Sequence, residues 1–182
     1  MKTIIILLTK MIYLLLSFSG KAQNSTSVTL NVNLYEVQKI VLNSPEKNID
    51  LNYRTKEDYE NGIQITEDDH LKVYSTGGFA IKVKSIASNL SNSLNNASSI
   101  DAADITVTAT RGTTSGMEHF NSEMVQLSTS ETRLISSGVG SKNNTFNINY
   151  SAKGDGKYVN MFFKTQSPTV YSTQVIYTIE PI

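Results

Sequence analysis

The sequence lacks several residue types that would carry chemistry or cross-links. It contains no cysteine, no tryptophan and only two histidines among 182 residues. The absence of cysteine excludes disulfide scaffolds, thiolate zinc sites, iron–sulfur clusters and cysteine nucleophiles. An excess of charge of one sign is also missing, because 16 basic residues balance 16 acidic ones. A general nucleic-acid binder normally carries a basic excess, so we expect no nucleic-acid partner.

The first 22 residues have the pattern of a secretory signal peptide. A basic start is followed by the apolar runs Ile4–Leu8 and Met11–Leu16, and then by the small residues Gly20 and Ala22 before a cleavage point. A retained membrane anchor is the alternative. Lys10 interrupts the apolar stretch, however, and each run is shorter than the roughly 20 residues that a membrane span needs.

We therefore predict a signal peptide over residues 1–22 and a single domain over residues 23–182. Removal of residues 1–22 takes away three lysines and no acid, so 13 basic residues remain against 16 acidic ones, a net charge of −3. No later segment is apolar enough to form a transmembrane segment in the mature chain. We expect the protein to be secreted, in the periplasm or on the outer surface of a bacterium.

The mature chain is dominated by alternation of apolar and polar residues, which is typical of strands with one buried face. Short strands separated by turn signals predict an all-β protein, an antiparallel β-sandwich with an immunoglobulin-like Greek key. The segments with this pattern are Val28–Leu34, Ile49–Tyr53, Ile63–Ile65, Leu71–Val73, Phe79–Val83, Ile105–Ala109, Phe146–Tyr150 and Tyr171–Ile179, with weaker ones at Val125–Leu127 and Leu134–Ile135. Lys39–Asn43 is a short apolar run and Tyr158–Phe163 a denser one.

The best helical spacing after residue 22 is that of Leu90, Leu94 and Ala97. The surrounding serines and asparagines compete with helical backbone bonds, so the segment favours a polar loop over a short helix.

The sequence contains no motif of a catalytic site. His70 and His119 show neither the paired spacing of a metallohydrolase nor a partner carboxylate at fixed distance, and we interpret both as solvated loop residues. Serine is abundant, but no nucleophile elbow or related motif surrounds it. We therefore expect a protein that is not an enzyme and that uses no cofactor.

An acidic stretch is the candidate for a cation site. Glu67, Asp68 and Asp69 are consecutive carboxylates that offer oxygen ligands to calcium. The stretch lacks the spacing of a calcium loop, and charged loops are more often solvated faces. The prediction is no metal site, with these three residues as the candidates if one exists.

Aromatic residues form two groups along the chain, Tyr53, Tyr59 and Tyr74 in the first and Tyr158, Phe162 and Phe163 in the second. They could form a platform on which sugar rings stack. Tyrosines on alternating strands are more often half-buried packing residues, and packing is the interpretation that we favour.

The first strand-like segment carries Val28, Leu30, Val32 and Leu34 on one face and starts a few residues after the predicted cleavage point. Such a segment can be the first strand of a closed sandwich, or it can be donated to the sheet edge of another subunit. We favour the closed sandwich, and we take the four apolar side chains as the candidate assembly strand.

The layout resembles bacterial surface β-sandwich subunits of the fimbrial major-subunit type and the related WxL-like secreted proteins. The features that carry this resemblance are the signal peptide ending in Ala22-Gln23, the opening VTLNVNLYEVQKIVL, the strand FAIKVKS and the closing TVYSTQVIYTIEP with its Tyr171, Val175 and Tyr177. The WxL motif itself is absent, because the chain has no tryptophan.

The sequence and the resemblance together lead to an expected function. We expect a non-enzymatic cell-surface structural or adhesive protein, such as a fimbrial subunit that assembles through strand edges. Its partners would be other subunits of a surface polymer or glycans of the cell wall or surface. The alternative is a secreted ligand-binding module for calcium or carbohydrate.

Overall fold

The computed structural model describes residues 1–16, 24–43, 48–94, 98–114, 116 and 119–182. The chain forms two compact units, Met1–Leu34 and Tyr35–Ile182. The predicted cleavage site at Gly20 and Ala22 lies outside the described residues, as does Ala97.

The first unit contains one helix, α1 (Lys2–Leu16). Its 15 residues lack acidic groups, and its apolar side chains up to Leu14 are exposed. Within the described ranges, no helix has the length and apolar character needed to cross a membrane. Residues 24–34 form neither helix nor strand. The prediction that Val28–Leu34 is the first strand of a closed sandwich is therefore wrong.

The second unit is built almost entirely of strands. Its described residues also include one short helix and a 3-10 turn at Ala102–Asp104. In chain order the elements are β1 (Gln38–Leu42), α2 (Lys56–Asn61), β2 (Ile63–Ser75), β3 (Phe79–Ser85), β4 (Asn89–Ser91), β5 (Ser99–Asp101), β6 (Ile105–Arg111), β7 (Asn121–Ser122), β8 (Val125–Gln126), β9 (Thr132–Ser137), β10 (Ser141–Ala152) and β11 (Val175–Pro181).

The strands form two main antiparallel sheets. Sheet A has the order β1-β2-β10-β6-β8, and sheet B has the order β11-β3-β9-β7; β4 and β5 pair as a separate two-stranded ribbon. The two sheets pack against each other, which confirms the predicted all-β antiparallel sandwich. Within the described residues, β1 and β8 are the edges of sheet A, and β11 and β7 are the edges of sheet B.

The core lies between the sheets and follows the alternation read from the sequence. Phe79, Ile81 and Val83 on β3 and Phe146 and Ile148 on β10 are at most 1% exposed. Lys82 and Lys84 alternate with these buried residues along β3 and lie on the outer face of the sheet. Lys82 makes an ion pair with Glu180 there, and Lys84 makes one with Glu131. Each fully buried aliphatic or phenyl side chain contributes about 1.5–3 kcal/mol, so the inner faces of β3 and β10 stabilise the fold strongly.

Two further predicted segments do not form strands. Ile49–Tyr53 packs its alternate apolar side chains against the core, but within the described structure no backbone hydrogen bond joins it to a sheet. Residues Tyr158–Asn160 lie in a turn and Met161–Phe163 form neither helix nor strand; the Met161 amide donates to the Tyr158 carbonyl. An apolar pattern predicts that a segment has a buried face, but it does not predict that another strand lies beside it.

The end of α2 is held tightly against the end of β10. Thr55 caps α2 through a capping box with Asp58. Gly62 then turns the chain with φ +79, and a Cβ added to it would lie 2.9 Å from the Gly154 nitrogen. A Cβ on Gly154 would lie 2.5 Å from the carbonyl carbon of Asn61. The backbone after α2 and the backbone after β10 therefore touch at Gly62 and Gly154, and neither position has room for a side chain.

Candidate functional site

The segment Val28–Leu34 presents its apolar side chains to solvent. Val28, Leu30, Val32 and Leu34 are 92%, 86%, 77% and 90% exposed, respectively. Thr29, Asn31 and Asn33 separate them, so the segment has one apolar and one polar face if it becomes extended. Single exposed apolar residues are common on protein surfaces, whereas a contiguous set indicates an interaction site.

The side of the sandwich where β1 and β11 lie next to each other, which we call the β1–β11 seam, is only half covered. Val175, Tyr177 and Ile179 of β11 pack against the core but remain partly exposed, as does Ile40 of β1. The inner residues of the central strands, such as Ile81, are fully buried. The core is therefore open to solvent along this seam.

A groove of about 670 Å³ opens at the Ala152 end of sheet A. One wall is the segment Ile49–Arg54, the other is the loop Ser167–Tyr171, and Ile105 and Ala152 line it from the sheet. Its volume falls in the range of ligand-binding clefts, about 300–1,000 Å³. It is a second place where apolar core residues are accessible.

The groove brings together residues from both predicted aromatic groups. Tyr53 and Tyr59 of the first group and Tyr158 and Phe162 of the second all line it. The ring centre of Tyr53 lies 5.3 Å from that of Tyr59 and 5.2 Å from that of Tyr158. Tyr74 and Phe163 are not among its lining residues. The two groups therefore converge in space, although about 100 residues separate them in sequence.

The hydroxyl groups of Tyr53 and Tyr158 in the groove remain neutral at ordinary pH. The Tyr53 hydroxyl donates to the Lys153 carbonyl at 2.6 Å. Burial raises the pKa of Tyr53 to about 12. Burial also raises the pKa of Tyr158 strongly. These groups can donate hydrogen bonds, but they cannot act as bases.

A buried carboxylate lies close to the tyrosines. Asp104 has a side chain only 2% exposed, and its Oδ1 accepts from Lys153 Nζ at 3.0 Å and from Lys157 Nζ at 2.5 Å. Burial alone would raise the pKa of Asp104, but hydrogen bonds from the two lysines outweigh it and lower that pKa. No sequence pattern indicates this group, because both lysines lie about 50 positions away from Asp104.

The candidate cation ligands do not converge. Asp69 instead ties β2 to its neighbours, because its carboxylate accepts from the hydroxyl groups of Thr113 and Thr145 and from the Thr113 amide. These bonds lower the pKa of Asp69. Asp68 is exposed and Glu67 half-buried. Across the described residues, no three acidic or histidine side chains are grouped so that they could hold a metal ion.

The two histidines have different environments. His119 is exposed, but His70 is a buried residue of β2, only 4% exposed, so its interpretation as a solvated loop residue is wrong. Its Nε2 lies 3.2 Å from the Tyr150 hydroxyl, and burial lowers the pKa of His70. Regular alternation from Leu71 and Val73 would place His70 on the opposite face, but the register shift in this part of β2 leaves both His70 and Leu71 buried.

No protein-family model matches the chain, and no curated protein matches it significantly. The class that the fold defines is the antiparallel β-sandwich. Three features beyond the fold bear on function: the exposed segment Val28–Leu34, the half-covered β1–β11 seam and the aromatic groove.

Proposed function

We propose that the protein is an exported, non-enzymatic structural subunit of a bacterial cell surface, which associates with other subunits through the segment Val28–Leu34. The observation that carries this proposal is the state of that segment. Its four alternating apolar side chains are exposed and its residues form no strand. A segment of this kind can gain backbone partners and cover its apolar face by joining the sheet of another molecule.

The energetic argument favours association. Burying an exposed valine or leucine side chain contributes about 1.5–3 kcal/mol, and four such side chains lie on one face of the segment. The cost of ordering the segment reduces this gain. The residues from Val28 to Leu34 carry no charge, so burial of this segment does not desolvate a charged side chain.

Export is supported by the sequence of residues 1–22, with its basic start, apolar runs and small residues before the cleavage point. The apolar part of that segment is the helix α1. The surface role is supported by the resemblance to fimbrial subunits and by the β-sandwich fold.

The proposal is tested by the mass of the exported protein in solution over a range of concentrations. We expect the wild type to form species larger than one chain. The double variant L30D/V32D, which places charge on the apolar face, should be monomeric, and its circular dichroism should be unchanged because the segment is outside the sheets. The matched variant N31D/N33D adds the same charge to the polar face and should still associate. A wild type that is monomeric at every concentration would overturn the proposal.

A second function, carbohydrate binding, is favoured by the aromatic groove. Tyr53, Tyr59, Tyr158 and Phe162 line it together with the polar side chains of Asp50 and Asn52, and sugar recognition combines ring stacking with hydrogen bonding. A glycan array followed by calorimetric titration tests this function. F162A should weaken any binding that is found, whereas F163A should not, because Phe163 is not among the residues that line the groove.

A further inference from the structure

We propose that the acceptor for Val28–Leu34 is the outer edge of β11 in a second copy of this chain. The inference rests on the proposed function and adds the partner and the place of contact. It makes the segment of one molecule the neighbour of β11 in the next, so that sheet B gains a strand beside the edge that is now free.

The edges of the two sheets differ in what they offer. Of the edge strands in the described structure, β7 and β8 have two residues each and β1 has five, whereas β11 has seven. Val28–Leu34 also has seven residues. β11 pairs only with β3 in the described structure, so its outward N–H and C=O groups have no strand partner. It is the longest of the four edge strands that another strand could join.

The β1–β11 seam gives a reason for a strand to be added there. The inward side chains of β11, Val175, Tyr177 and Ile179, are only partly buried against the core. A strand paired with β11 places every second side chain on this same face. The valines and leucines of the segment would thus lie beside the half-buried residues and cover them.

The charge pattern allows the same pairing. Between Val175 and Pro181 the only charged residue is Glu180, whose carboxylate accepts from Lys82 Nζ at 2.7 Å. Lys82 lies on the outer face of β3, opposite Thr178 in the ladder. The inward face that the added strand would share with β11 therefore carries no charge.

A second copy is the natural donor because the segment forms no strand within its own chain in the described structure. The segment and the β11 edge are different surfaces, so the contact is head-to-tail. Each molecule gives one segment and receives one, and such a contact extends into an open chain of subunits unless its rotation closes a ring.

Disulfide trapping between single-cysteine variants tests this inference, since the wild type has no cysteine. The variants N31C and I176C are used as exported proteins. N31C places a thiol on the polar face of the segment, and I176C places one on the outer face of β11. They are mixed, oxidised and separated without reductant. Variants T29C and N33C, each mixed with I176C, sample neighbouring registers. V41C, on the edge strand β1, is the control acceptor, and V139C, outside the strands, measures random collision.

We expect a cross-linked pair of one segment variant with I176C at a yield at least tenfold above the same variant with V41C or V139C. L30C should cross-link poorly with I176C, because their side chains would lie on opposite faces of the sheet. Preferential cross-linking to V41C would overturn the β11 assignment and leave assembly through the segment intact. Yields equal to V139C for every acceptor, with a wild type that still associates, would also overturn the β11 assignment. If the yields equal that of V139C for every acceptor and the wild type is also monomeric, both the β11 assignment and the proposed function are overturned.

One further variant separates transfer between copies from folding back within a copy. A double variant N31C/I176C, oxidised at low concentration, should remain uncross-linked as a monomer. A cross-link inside the monomer would show that each chain covers its own edge, and would overturn the head-to-tail contact.

Discussion

The hydroxyl groups of Tyr150 and Tyr177 lie 2.6 Å apart and join the two sheets by a hydrogen bond. Tyr150 belongs to β10 of sheet A and Tyr177 to β11 of sheet B. The Tyr150 hydroxyl also lies 3.2 Å from Nε2 of the buried His70. Burial raises the pKa of Tyr150 to about 12. The three side chains thus form a neutral polar network beside the β1–β11 seam.

Removing either hydroxyl should lower stability by a different amount. In Y177F the Tyr150 hydroxyl keeps its contact with His70, and we expect a loss of about 0.5–1.5 kcal/mol in the free energy of unfolding. In Y150F both His70 and Tyr177 lose their partner, and we expect about 1–3 kcal/mol. Urea denaturation measures both, with Y74F as the control because Tyr74 is 39% exposed. Equal losses would contradict the shared role of Tyr150.

Stability should fall as the solution is acidified below about pH 6.5. The pKa of His70 is lowered from 6.5 in the folded protein because the ring is buried. As pH falls through 6.5 the unfolded chain takes up this proton first, so the free energy of unfolding decreases until the folded pKa is reached. Urea denaturation between pH 8 and pH 5 measures the slope. H70Q should reduce it, whereas H119Q, at an exposed histidine, should leave it unchanged.

The ion pairs of Asp104 should be structural. The double variant K153M/K157M leaves a buried carboxylate without its partners, and we expect a loss of about 3 kcal/mol at pH 7. The pKa of Asp104 is lowered in the wild type, so its pairing stabilises the protein above pH 3.8 and is lost as pH falls through the folded value. The loss caused by the double variant should therefore shrink in acid.

The control for these lysines is K56M. Lys56 pairs with Glu60, but both side chains are largely exposed, so the change should alter the free energy of unfolding by no more than about 0.5 kcal/mol. Thermal or urea denaturation of the two variants side by side measures the contrast. A similar effect of both would show that Asp104 gains little from its lysines.

Gly112 should not tolerate a side chain. A Cβ at this position would lie 2.7 Å from the Thr145 carbonyl carbon and would also meet the Asp69 carboxylate. G112A should therefore lower the free energy of unfolding by about 1–3 kcal/mol. G138A is the matched control, because no atom lies within 4 Å of its added Cβ. Denaturation curves that coincide for the two variants would contradict the tight packing around Asp69.

The sequence predicts the central strands well because their burial and their pairing coincide. Phe79–Val83 and Phe146–Tyr150 alternate, are flanked on both sides by other strands and bury one face completely. Val28–Leu34 and Ile49–Tyr53 alternate just as clearly but form no strand. Alternation indicates which side chains share a buried face. A strand also needs hydrogen bonds to a neighbouring backbone, and the sequence pattern does not identify which segment supplies them.

The candidate site was predicted less completely, for a related reason. The aromatic residues were visible as two groups, but only the fold brings Tyr53 to within 5.2 Å of Tyr158. Asp104 and Lys153 lie far apart in sequence and match no motif. His70 was misassigned because the acidic residues before it suggested a loop, although β2 continues into Leu71 through an irregular stretch at Asp68–His70, where the pairing with β10 shifts register.

The close approach of Gly62 and Gly154 has a consequence for how this sequence can diverge. Each glycine occupies the space that a side chain on the other would need, so loss of either one is harmful whatever stands at the other position. Both glycines should therefore persist together in any homologue that keeps α2 docked on β10. A homologue in which either glycine is replaced should lack α2 or hold it away from the end of β10.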